Sequence, residues 1–137
     1  MPITTFDTTL QFDLRVTQAE DEALAFAIDA LFFEAISLQE LAKWCELVVS
    51  ELESPPVYLF DLMNYAGPLA AVFDDIGFVP SSALTTTEEN ALAGIADLRG
   101  IERFEQKPSK LLAAKALERQ PTILARYQRQ FPFISLS

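Results

Sequence analysis

Histidine is absent from the 137-residue chain. Its absence removes the commonest general base, the Ser-His and Cys-His pairs, and most zinc and carboxylate-bridged iron sites. Cysteine occurs once, at Cys45, so no internal disulfide can form, which fits a reducing compartment. The four glycines, Gly67, Gly77, Gly94 and Gly100, build neither a phosphate-cradling loop nor a dinucleotide fingerprint. No run of about 18 uncharged apolar residues occurs, so no membrane span is expected. The N-terminal "MPITTFDTTLQFD" has no basic n-region and no apolar h-region, so no signal peptide is expected. These absences lead us to expect a cytoplasmic, non-enzymatic protein with no catalytic residues, no metal and no cofactor.

What is present is core material. Half of the residues are hydrophobic and eleven are Phe, which argues against disorder despite a net charge of -10. The chain has the length of one domain. Period-two alternation in "TTLQFDLRV" predicts a short strand over 8–16, with the tail "FPFISLS" as its only candidate partner. The alternative is an extended segment laid over helices. From Thr17 the period changes to that of a helix. Thr17 and Glu20 have capping-box spacing and open a first, heavily apolar helix reaching about 33–36. Ser37 and Glu40 open a second, "SLQELAKWCELVVSELE", which follows the i, i+3, i+4, i+7 rule. Ser54 with Pro55 is expected to start a third, ending by Gly67, and Pro68 a short fourth, ending near Gly77.

The polar stretch 78–87 separates these from a fifth helix, which Thr85–Glu88 or Thr86–Glu89 caps and Gly100 closes. Gly94 in its interior suggests close helix packing. Pro108 and Pro121 open two more. The expected fold is all-α, one compact domain of about seven short helices spanning 1–137.

Cys45 lies on the apolar stripe of the second helix with only Lys43 nearby, so it reads as a buried thiol rather than a nucleophile. Trp44 beside it reads as core, its indole N–H reaching a partner.

Charge is the strongest remaining signal. Residues 1–98 hold 17 Asp/Glu against two Lys/Arg, a net of -15, while residues 99–137 hold three against eight, a net of +5. Docking of the basic third on the acidic body would cancel part of this. The rest points to a basic protein partner, since complementary fields speed encounter and select partners. Direct binding of nucleic acid is disfavoured, because phosphate contacts need a basic field. The acidic groups are Glu20, Asp21 and Glu22, the pair Asp74 and Asp75, and the pair Glu88 and Glu89. The triplet and Glu88–Glu89 sit where they complement helix dipoles. Asp74 and Asp75 lie toward the end of a short helix and gain nothing there, which makes them the first choice for a partner-facing role.

The segment Ile36, Ser37, Glu40, Leu41, Trp44, followed by Pro56, Leu59 and Leu62, resembles a pattern in small acidic bacterial immunity proteins of polymorphic-toxin and contact-dependent inhibition systems. Several of these families share I-S-x-x-E-L-x-x-W, then a Pro and a Leu-rich helix. The resemblance implies a non-enzymatic protein that binds and blocks a cognate toxin domain, often a nuclease. It assigns no binding residues, because the folds in these families differ. Two other readings stand beside it: a nucleic-acid mimic or adaptor that binds another basic protein, and an enzyme using carboxylates alone.

Overall fold

A computed structural model describes residues 14–136. Among them are seven α-helices and no strand. The helices are α1 (Glu22–Phe32), α2 (Leu38–Glu51), α3 (Tyr58–Met63), α4 (Val72–Ile76), α5 (Thr86–Leu98), α6 (Lys110–Arg119) and α7 (Pro121–Gln130). A 3-10 turn, Leu69–Ala71, leads into α4. Of the expected strand over 8–16, residues 8–13 lie outside the described residues. Residues 14–16 and 131–136 form no strand. They lie against the helices instead, with Val16 and Phe131 fully buried.

Two helix starts follow the capping boxes. The Ser37 hydroxyl accepts from the Glu40 amide at 3.1 Å, and Glu40 Oε1 accepts from the Ser37 amide at 2.9 Å. Thr85 and Glu88 repeat this at α5, at 3.2 and 2.8 Å. Pro121 opens α7 as its first residue.

Three expected starts shift. Thr17 Oγ1 does accept from the Glu20 amide, at 3.1 Å, but the Thr17 amide donates to Glu20 O at 2.9 Å, so the pair closes a turn ahead of α1. The first free amides of α1, those of Ala23 and Leu24, bond Arg15 O at 3.0 and 3.4 Å. Ser54 and Pro55 start nothing, and α3 begins at Tyr58. Pro56 accounts for this, because a residue preceding proline is pushed out of the helical region. At α6 the cap is Ser109, whose hydroxyl accepts from the Leu112 amide at 3.2 Å, and Pro108 stands one step earlier.

The core is built around α1, which has eight buried residues in eleven and therefore needs neighbours on all sides. It packs against α2 on one flank and α5 on the other. The first flank continues through α3 and α4, the second through α6 and α7. α7 is tied by polar bonds to α1 and to the turn that follows it. Tyr127 Oη donates to Ala35 O at 2.6 Å, Gln130 Nε2 to Ala23 O at 2.7 Å, and Arg126 to Glu22 O at 2.9 Å. Phe131, just beyond α7, centres an aromatic cluster. Its ring lies 5.1 Å from Tyr127, 6.3 Å from Phe26 and 6.5 Å from Trp44.

Trp44 is wholly buried, as its position predicts, but its N–H has no hydrogen-bond partner among the described residues. Its ring packs edge-on against Phe131 instead. Cys45 is buried too, and burial pushes its thiol up to about 12, where no reactive thiolate forms at neutral pH.

Candidate functional site

Some of the acidic groups meet where the loop before α5 crosses α1. Asp21, flanking the start of α1, accepts the Ser81 amide on Oδ2 at 2.8 Å. Two turns along α1, Asp29 accepts the Ser82 hydroxyl at 2.7 Å. These two bonds pin the loop, and the Thr85–Glu88 capping box then starts α5 beside it. Glu89, in the first turn of α5, thereby comes within electrostatic reach of Asp29. Glu22, Phe26, Asp29, Ser81, Leu84 and Arg126 line the seam between these elements, a cleft of about 40 Å³. That is far below the roughly 300 Å³ at which small-molecule pockets begin, so the feature is a surface.

Two carboxyls here carry an electrostatic cost. Burial raises Asp29 above its ordinary value, and the Ser82 bond and the Arg126 charge offset only part of it. Glu89 is raised as well, by partial burial and then by the Asp29 charge. Arg126 enters from α7, its guanidinium 4.3 Å from the Phe26 ring centroid.

The expected acids divide accordingly. Asp21, Glu22 and Glu89 share this face, and Glu20, next to Asp21 in the chain, is exposed. Glu88 is half-buried and occupied by its capping box. Asp74 and Asp75 stand instead beside Tyr65, whose phenol is raised by burial and then by their two charges. They do lie toward the end of α4, just before its left-handed C-cap Gly77. α4 has only five residues, so both also fall in its first turn, and its dipole neither favours nor disfavours them strongly. Asp29 itself was not a sequence candidate. Its signal was available, since it is the only charged residue in the apolar run "ALAFAIDALFF".

Two wider clefts also hold carboxylates. One, of about 420 Å³, is lined by Glu34, Ser37, Glu40, Leu69, Arg99 and Ile101. Arg99 there donates to both Glu40 oxygens, at 2.9 and 2.5 Å, and to Ala35 O at 2.7 Å. Burial pushes the Glu40 carboxyl up, but the bonds from Arg99 and the Ser37 amide outweigh it and leave the group below its ordinary value. Glu34 accepts the amides of Phe104 and Glu105 at 2.7 and 3.0 Å. The other cleft, of about 350 Å³, adjoins Asp97, Glu102, Arg103 and Glu105. Arg103 is clamped there by both Asp97 oxygens and by Pro108 O. Glu34, Glu40 and Asp97 are thus each engaged in holding the fold. No cluster of three or more His, Cys, Asp or Glu suited to a metal occurs among the described residues, and no helix there is long and apolar enough to cross a membrane.

Compared with known proteins, the chain matches no family model, no curated protein and no solved structure. The residues that carry the resemblance to immunity proteins are architectural. Ser37 and Glu40 start α2, and Ile36, Leu41, Trp44, Leu59 and Leu62 are buried.

Proposed function

We propose that the chain is a non-enzymatic, immunity-type protein that binds and neutralises a basic toxin domain. The binding face is the one formed by Glu20, Asp21, Glu22, Asp29 and Glu89. The observation that carries this reading is the pair Asp29 and Glu89. Two carboxyls raised by burial, one of them further by the other, are costly to the free protein. An amide at either position would remove that cost. A cationic side chain from a partner would remove it as well, and would turn a stability defect into binding energy. The net charge of -10 supports the same class of partner.

The test is co-expression with the product of the adjacent open reading frame. Wild-type chain is expected to rescue growth and to co-purify with a basic protein, the complex weakening as salt rises. The double variant Asp29→Asn, Glu89→Gln is expected to bind at least about tenfold more weakly, some 1.4 kcal/mol, while the free variant is more stable than wild type at pH 7. Loss of binding with loss of stability would indicate mere unfolding. Retention of no basic partner would end the proposal. A partner that DNA displaces competitively would favour the reading as a nucleic-acid mimic.

A further inference from the structure

We propose that the outward face of α6 is a second docking surface, and that its occupant is an acidic amphipathic helix of another protein. The proposal is independent of the toxin reading, since this face is basic and would repel a basic toxin.

The residues of α6 are inverted relative to an ordinary amphipathic helix. α6 turns Ala113 and Ala116 inward, buried, and leaves Leu111 and Leu112 at 66% and 57% exposure. The cause is Gly94 on α5, where a Cβ would lie 2.5 Å from Ala113 O. Backbones this close leave room only for small side chains between them, so the leucines face solvent. Two adjacent leucines at this exposure form a small apolar patch, and covering it would remove that apolar area from water.

The charge around the leucines says what would cover them. Leu111, Ala114, Lys115 and Glu118 follow i, i+3, i+4, i+7, and Leu112, Lys115 and Arg119 run beside them. Lys107, Lys110, Lys115 and Arg119 are exposed and make no ion pair among the described residues. Leu111, Leu112 and Ala114 thus form a short apolar patch beside four exposed cations, with Glu118 the one acid on α6, on a chain whose first 98 residues carry -15. A helix with leucines in one stripe and glutamates on its flanks complements it in both respects. A second copy would set lysine against lysine, and an extended anionic membrane would also face the acidic body, whereas a single helix meets only the local field of α6.

The probe is a labelled peptide of about 18 residues, long enough to form a helix on contact. It carries Leu at i, i+3, i+4, i+7 and Glu elsewhere; its counterpart carries Lys for Glu. Both are titrated with the full chain by fluorescence anisotropy at roughly 50 and 300 mM salt. The acidic peptide is expected to bind, more weakly at the higher salt, and the basic one at least tenfold less tightly. Leu111→Ala with Leu112→Ala, and separately Lys110→Glu with Lys115→Glu, are each expected to weaken binding at least tenfold with an unchanged circular dichroism spectrum. Three results would overturn the proposal. They are equal binding of both peptides, loss in neither variant, or concentration-dependent dimers or phosphatidylserine-vesicle binding abolished by the same variants.

Discussion

Gly94→Ala sets two effects against each other, and the structure says which wins. In a helix interior Ala is favoured over Gly by about 1 kcal/mol. Against this, the new Cβ would lie 2.5 Å from Ala113 O and 3.1 Å from both Ala113 C and Leu117 Cβ. Ordinary contact begins at 3.4 Å, so α6 must retreat by about 0.9 Å. The obstacle is backbone, so no rotamer change relieves it. The retreat loosens Ala113, Ala116 and Leu117 together. Overpacking of this kind costs about 1–3 kcal/mol, and a backbone obstacle belongs at the upper end. The net expectation is a loss of about 2 kcal/mol, or roughly 6–10 °C in Tm for a chain of this size. Urea and thermal unfolding followed by circular dichroism measure it. Ala114→Gly, on the exposed side of α6, serves as the control and should lose only the propensity difference of about 1 kcal/mol. A Gly94→Ala protein as stable as wild type, or more so, would refute the close approach of α5 and α6 and with it the reason for the inverted face.

Two further predictions concern the ties across the fold. Glu40→Ala removes half of a capping box and leaves the largely buried Arg99 without its carboxylate, an expected loss of about 2–3 kcal/mol at pH 7 by chemical denaturation. Because Glu40 lies below its ordinary 4.5 when folded, its contribution is complete above 4.5 and fades as pH falls through the folded value; a difference that persists unchanged at pH 2 would contradict this. Glu34 holds φ at 66° just past α1, where Gly is the usual residue, so Glu34→Gly relieves about 1 kcal/mol of backbone strain. It also deletes both bonds to the Phe104 and Glu105 amides, which are exposed and worth about 1 kcal/mol each. Net destabilisation with faster hydrogen exchange at those two amides is expected, and a more stable variant with unchanged exchange would show that the carboxylate does not hold the loop.

What could be read from the sequence was local. Ser37–Glu40 and Thr85–Glu88 complete their boxes within four residues, so spacing alone located both helix starts. The Thr17–Glu20 start failed because a distant carbonyl, Arg15 O, reached the α1 amides by a fold-back of the chain. Asp29 escaped notice for a similar reason: Ser82 lies 53 residues away, and the charge that helps raise Glu89 is visible only after α1 and α5 pack. The charge asymmetry was legible as a sum, but not in how it divides. Arg99, Arg103 and Arg126 turn inward, where a planar guanidinium bonds carboxylates and carbonyls in pairs or stacks on a ring. Lys107, Lys110, Lys115 and Arg119 stay in solvent. Internal docking of the basic third is therefore real and partial, and it moves charge without changing the total. Each arginine that turns inward withdraws a cation from the surface along with its acid, so the exposed residue of the sum remains acidic around α1 and basic along α6. One chain thus presents two faces of opposite sign, and no single partner of uniform charge can occupy both.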